Sequence, residues 1–210
     1  MRATSDIDIL DSGTPYDVCI VGSGFSGTVL ACALAARGVR TLVLESGGSL
    51  ARWLLDSRLR AMAAYSVSGD ADYPTERTIA RVVGGNSNFW TGRCERFHPT
   101  DFGRHPYTPP TNPWPVDYDE LAPYYEKAEA TLAVRGDALS EHMPPRRADL
   151  PVHSRTDVKG LQRIMSKAEI QVDDSPTATP RKRLRFFRLQ KELLPRFLSS
   201  PHGVMLTGAS

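Results

Sequence analysis

Long apolar runs are missing from this chain of 210 residues. None approaches the roughly 18 residues that a membrane-crossing helix requires, so no such span is expected. Cysteine is scarce: Cys19, Cys32 and Cys94 are odd in number and lack CxxC spacing, which fits a reduced intracellular protein better than a disulfide framework. Cys19 and Cys32 are expected to behave as small hydrophobes. The five histidines are scattered, with no two at the short spacing of helical or finger-type metal sites, so no metal is expected. Excess charge is absent as well. With 26 basic residues against 24 acidic ones, the net charge of +2 gives no reason to expect a nucleic-acid partner. Residues 1–14 contain acids and lack a continuous apolar centre, unlike a signal peptide, and are expected to form a flexible tail on a cytoplasmic protein.

What is present concentrates first in Tyr16 to Gly48, YDVCIVGSGFSGTVLACALAARGVRTLVLESGG. Asp17 to Val21 is short, apolar and closed by a glycine turn, and is predicted as a buried parallel strand. Gly22, Ser23, Gly24, Phe25, Ser26 and Gly27 then form a GxGxxG turn. Its first glycine allows the tight turn, its second lets the backbone approach a pyrophosphate, and its third lets the next helix pack on the strand. That helix is predicted from about Phe25 to Arg37, with the phosphates on its free N–H groups and Gly38 ending it in the left-handed conformation. Thr41 to Leu44 follows as a strand that delivers Glu45 near the spacing at which a carboxylate accepts ribose hydroxyls. Glycines alone recur in turns for conformational reasons. Strand, glycines, helix, strand and acid in this order point to a dinucleotide, but they do not separate FAD from NAD.

Ser49 to Ser66 is a helical candidate whose Trp53, Leu54, Leu55, Leu59, Met62 and Ala63 are expected in a core or interface, and residues 67–78 are expected to form a polar loop. The second informative stretch is Ile79 to Phe102. Arg81 precedes Gly84, Gly85, Asn86, Ser87 and Asn88, and then Phe89, Trp90 and Thr91. Paired glycines among small polar side chains can bring backbone amides close to an anion or a flat ring, with Asn86, Ser87 and Asn88 as hydrogen-bonding groups. A Gly-Asn turn carrying a buried Trp90 is the plainer alternative.

Three ordered motifs, the GxGxxG unit with its Glu-Ser-Gly ending, the Arg81 to Trp90 segment and the run from Trp114 to Glu129, together resemble the glucose-methanol-choline (GMC) family of FAD-dependent oxidoreductases. The pattern is most similar to the bacterial sugar and alcohol dehydrogenases and the pyranose oxidases. The resemblance implies an α/β fold, a Rossmann-like FAD-binding domain of three layers with a parallel sheet, incomplete here, together with the start of a substrate domain. It implies that Gly22, Ser23, Gly24, Phe25, Ser26 and Gly27 surround the FAD pyrophosphate and that Glu45 holds the adenosine ribose. Arg81, Gly84, Gly85, Asn86, Ser87 and Asn88 would line the flavin end, with Trp90 and Thr91 near the ring. Some relatives attach flavin covalently through a histidine in this segment; Phe89 stands there, which implies non-covalent FAD.

Further along, Asp117 and Glu120 form a capping-box start to a helix that Pro123 would kink or restart. Its Leu121, Tyr125, Ala128 and Leu132 are predicted on one face, with Gly136 as the stop. Val158 to Ala168 is predicted as a short helix, and Ile170 to Pro180 as loop or edge strand. Arg181 to Arg196 is a basic amphipathic stretch, expected as a solvated helix rather than a membrane or nucleic-acid element. Val204 to Gly208 is a strand resembling one that returns to the FAD domain in the family. The expected division is therefore 1–14 tail, 15–136 FAD-binding, 137–200 linker and partial substrate segment, and 201–210 returning strand.

The resemblance implies oxidation of an alcohol or sugar CH–OH group by hydride transfer to flavin. In the family the proton-accepting pair lies near the end of a much longer chain, so no catalytic residue is expected here, and a C-terminal remainder is an expected partner. A non-catalytic flavin-binding subunit and an NAD-binding dehydrogenase are the alternatives.

Overall fold

A computed structural model of the chain describes residues 3–5, 8, 13–57, 78–103, 114–136, 143–147, 150, 158–168, 175–178 and 188–209. The chain divides into two compact units, Met1–Trp90 with Arg188–Ser210, and Thr91–Phe187. The helix opened by Asp117 thus lies in the second unit and the returning strand in the first.

In the first unit, Val18–Val21 (β2), Phe25–Ala35 (α1) and Thr41–Glu45 (β3) form the βαβ unit that the sequence predicts, preceded by Ala3–Thr4 (β1). Leu50–Leu55 (α2), Leu189–Glu192 (α5), Leu194–Ser199 (α6) and Gly203–Thr207 (β6) complete it. The strands lie in the order β1-β6-β3-β2, every pair parallel, with Val43 opposite both Ile20 and Met205. Parallel neighbours cannot be joined by a tight hairpin, so a crossover such as α1 is obligatory between β2 and β3. β6 is a strand of this sheet, as predicted.

Alternation along the strands divides the core. Ile20, Val43 and Met205 face α1 and α6, where they pack with Ala31, Ala35, Leu194, Phe197 and Leu198. Leu42, Val204 and Leu206 form a separate cluster with Tyr16 against them. Phe197 is 1% exposed, and burying a ring of that size contributes roughly 2–3 kcal/mol.

Several local expectations need correction. β2 is not buried throughout: it is the edge of the described sheet, with Cys19 exposed and Val21 at 85% exposure. An apolar run does not reveal whether a strand will be flanked on both sides. In the segment assigned to the tail, Ala3–Thr4 pair with β6, because an open strand edge offers unpaired N–H and C=O groups. α1 ends at Ala35, with Gly38 left-handed at φ 79° as expected. In α2, Leu54 and Leu55 are exposed rather than core; Leu59, Met62, Ala63 and the loop at 67–77 lie outside the described residues. The leucines of the basic stretch are structural, since Leu189, Leu193 and Leu194 are all buried, while residues 181–187 lie outside the described set.

The second unit contains Tyr118–Leu132 (α3), Val134–Arg135 (β4), Val158–Met165 (α4) and Thr177–Ala178 (β5), with β4 and β5 antiparallel. α3 starts at the predicted capping box, where Asp117 accepts from the Glu120 N–H and Glu120 accepts from the Asp117 N–H. It runs through Pro123 as one helix and ends on Ala133 at φ 50° rather than on a glycine.

Its inward face is the predicted one in part, rotated toward Glu129: Leu121, Tyr125 and Leu132 are half-buried, but Ala128 is exposed, while Tyr118, Ala122 and Glu129 are buried. Glu129 explains the rotation. Arg96 forms a two-pronged pair with it, Nε to Oε1 at 2.9 Å and Nη2 to Oε2 at 2.8 Å, and Arg146 adds a second ion pair. The Tyr118 hydroxyl accepts from Arg96 and donates to the Pro145 carbonyl. Burial alone would lower the Arg96 pKa, but the hydrogen bonds it donates to Glu129 and Tyr118 outweigh it and hold the guanidinium above its usual range. Burial pushes the Cys94 thiol up to about 11, so it remains a protonated, weakly polar group at neutral pH.

Removing the carboxylate with Glu129→Gln leaves two buried guanidinium groups without their counter-charge. We expect a loss of about 3–5 kcal/mol, measured by urea unfolding of the chain. An unchanged midpoint would show that these ion pairs contribute nothing to stability.

Candidate dinucleotide-binding site

The turn between β2 and α1 is shaped by two glycines with opposite roles. Gly22 takes φ 93°, a conformation that side chains with a Cβ rarely adopt, and its N–H donates to the Leu44 carbonyl at 2.7 Å. At Gly27 the constraint is contact: a Cβ would lie 2.1 Å from the Gly22 carbonyl oxygen. Between them, a Cβ at Gly24 would meet nothing within 4 Å. Gly24 is the N-cap of α1, no side chain caps that end, and the first turn carries no acid. The amino end of a helix with these properties suits an anion, through both its N–H groups and its dipole.

Ser23 ties this turn to the rest of the unit. Fully buried, it donates its N–H to Glu45 Oε2 at 3.0 Å, and its hydroxyl donates to the same oxygen. That hydroxyl accepts the Gly84 N–H at 2.8 Å, while the Ser23 carbonyl accepts the Thr28 hydroxyl at 2.8 Å. Glu45 is 6% exposed, and its Oε1 accepts the Gly47 N–H at 2.8 Å.

The second motif reaches the turn through the Glu-Ser-Gly-Gly ending. Gly48 forms a parallel bridge with Val82, and a Cβ at Gly47 would lie 2.3 Å from the Arg81 backbone, so no larger residue fits without displacing that segment. Arg81 Nε donates to the Ser46 hydroxyl at 3.4 Å. Gly84 is left-handed and leads into a single 3₁₀ turn, Gly85–Asn88. Trp90 packs edge-on against Phe25 with centroids 4.4 Å apart, and Phe89 lies tilted against Trp53 at 5.5 Å.

Within the first unit, therefore, Gly22 to Gly27, Glu45, Arg81, Gly84 to Asn88 and Trp90 share one neighbourhood; Thr91 is exposed and begins the second unit. The polar side chains of the second motif differ from expectation in what they bond. Asn86 accepts the Ala80 N–H and donates to the Thr78 carbonyl, Ser87 donates to the Gly84 carbonyl, and Asn88 donates to the carbonyls of Val83 and Gly85. These bonds shape the loop's own backbone, and the amides of Gly84 and Gly85 are taken up by the Ser23 hydroxyl and the Val82 carbonyl, which leaves the aromatic rings as its outward features.

Two supports escaped the sequence. Gln190 on α5 donates to the Val83 carbonyl, and Arg188 donates to the Asn88 carbonyl at 3.1 Å, so the basic stretch braces the motif across about a hundred residues of chain. Gly47 could have been recognised from the Gly-Gly pair after Glu45. Among the described residues no group of three His, Cys, Asp or Glu is placed to hold a metal, and no helix is long and apolar enough to cross a membrane.

Fold and site together define a Rossmann-like dinucleotide-binding α/β protein. The family described as the NAD(P)-binding Rossmann-like domain matches residues 20–67. The chain is 30% identical over 184 residues to 6'''-hydroxyparomomycin C oxidase from Streptomyces lividus, covering 82% of this chain and 33% of that protein. It is 34% identical over 142 residues to paromamine 6'-oxidase from Streptomyces fradiae, covering 64% and 26%. An FAD-dependent oxidoreductase structure from Chaetomium thermophilum superposes with a TM-score of 0.54 at 16% identity, over 91% of this chain and 38% of that one, a likeness of fold. The chain's homologues are GMC-type oxidoreductases, the family that its motifs resemble. It spans about a third or less of the length of these curated relatives.

The two glycines give a paired prediction. Gly27→Ala forces the α1 helix away from Gly22 and should lower the unfolding temperature by several degrees, an effect on the order of 1–3 kcal/mol. Gly24→Ala fills open space, so the unfolding temperature of the ligand-free chain should hold while dinucleotide affinity falls at least tenfold in a fluorescence titration. Equal binding by Gly24→Ala and the unaltered chain would place the ligand elsewhere.

Proposed function

We propose that this chain binds FAD without a covalent bond and forms the flavin-holding part of an oxidoreductase that acts on the CH–OH group of an alcohol or sugar. The observation that carries the proposal is the open cradle at Gly24, joined through Ser23 to the Gly84 segment: one end suits a pyrophosphate, and the other presents aromatic rings, with Trp90 against Phe25. A dinucleotide with a flat ring at its far end matches both. The names of the relatives, oxidases of hydroxyparomomycin C and paromamine, support the reaction class.

In this account the α1 amino end, with the amides of Gly24 to Gly27, takes the pyrophosphate, and Glu45 takes the ribose of the adenosine half. Gly84 and Gly85 bring the backbone close to the flavin end, with Trp90 beside it and Arg81 as a nearby positive charge. Bound flavin would supply the hydride acceptor. What this chain contributes is binding and orientation. We assign no general base to it. The segment Gly85 to Thr91 contains no imidazole or thiol, and Phe89 is half exposed at the position where a covalent attachment would arise, so the flavin is held by contacts alone.

A second reading, binding of a nicotinamide dinucleotide, is favoured by the match of residues 20–67 to an NAD(P)-binding domain. One experiment separates the two. The purified chain is titrated with FAD and with NADH, and the visible spectrum is recorded before and after acid precipitation. We expect flavin absorbance on the protein that passes fully into the supernatant. Flavin in the pellet would contradict non-covalent binding, and uptake of NADH in place of FAD would overturn the flavin reading.

A further inference from the structure

We infer that Ser23 is a specificity-determining positioning residue, which limits Glu45 to recognising a single hydroxyl of the adenosine ribose. This rests on the reading of Glu45 as the ribose contact. A carboxylate has about four acceptor positions, two on each oxygen. Oε2 of Glu45 already accepts two donors, the N–H and the hydroxyl of Ser23, whereas Oε1 accepts one, the Gly47 N–H. One acceptor position therefore remains, on Oε1. A ribose offers two adjacent hydroxyls, and an unencumbered carboxylate could take both in a two-pronged bond; here the second prong is filled by the protein.

The arrangement is fixed at each end. The Ser23 hydroxyl cannot turn from Glu45 without also disturbing the bond it accepts from the Gly84 N–H, and the Ser23 N–H belongs to a turn held by Gly22 and Gly27. Ser23 is fully buried, so water does not compete for its hydroxyl, and Gly47 is locked by its contact with the Arg81 backbone. Glu45 thus meets an incoming ribose with its orientation already set, which reduces the ordering cost of binding.

The test displaces FAD fluorometrically from the full chain with ADP, 2'-deoxy-ADP and 3'-deoxy-ADP. Loss of one hydrogen bond to a charged group corresponds to about a tenfold or greater loss of affinity. We expect one deoxy analogue to lose that much and the other to remain within about twofold of ADP. In Ser23→Ala the freed acceptor on Oε2 should make binding sensitive to both hydroxyls. Equal losses for both analogues on the unaltered chain would overturn the inference, and so would no loss for either; this comparison does not depend on whether the variant folds. A Ser23→Ala protein that folds and keeps the one-sided profile would overturn the role of Ser23. If FAD binds and ADP displaces it with a flat deoxy profile, this inference fails while the flavin proposal stands; if no FAD is taken up, both fail.

Discussion

A single hydroxyl group organises the first unit. Ser23 Oγ donates to Glu45 and accepts from Gly84, joining the end of β3, the glycine turn and the second motif, which are 22 and 61 residues away in sequence. Because Ser23 is fully buried, each of these bonds is made in a low-dielectric setting, where leaving a partner unsatisfied costs roughly 1–3 kcal/mol. The turn, the acid and the loop therefore hold one another in place before any ligand arrives. Gly27 and Gly47 serve the same end by removing side chains where two backbones approach, one beneath α1 and the other against Arg81.

Around that hub the parallel sheet acts as a platform. β2 and β3 place the turn and Glu45 at adjacent carboxyl ends, the position where open α/β sheets receive ligands. β6 flanks β3 on its other side, and α6 with α1 covers one face through Phe197 and Leu194. α5 braces the second motif from outside through Gln190. The second unit depends on a different device, the buried Arg96–Glu129–Arg146 cluster that holds α3 to its neighbouring segments.

Much of this was legible in the sequence where the determinants are local. The GxGxxG turn, its helix and the acid at the end of β3 are recognisable because their spacing is set by one βαβ unit, and the Asp117 capping box because its two members are only three residues apart. Non-local features were not legible. Whether β2 is flanked on both sides depends on the order β1-β6-β3-β2, which no property of residues 18–21 encodes. The inward face of α3 was legible only in part, because Glu129 counts as polar in any periodicity, and only Arg96 and Arg146, far off in sequence, make its burial tolerable. Asn86, Ser87 and Asn88 carry donors that serve a ligand or a backbone equally well; residue type cannot say which, and here the backbone holds them.

We propose that the amino end of α1 is the anion cradle and that Ser23 preforms it. Hydrogen–deuterium exchange at single-amide resolution, with and without FAD, tests this most directly. The account predicts that the Gly84 amide, held by the buried Ser23 hydroxyl, exchanges slowly in both states, while the amides of Gly24 to Gly27 slow markedly when FAD is added. Unchanged exchange at Gly24 to Gly27, with protection appearing elsewhere in the chain, would contradict it.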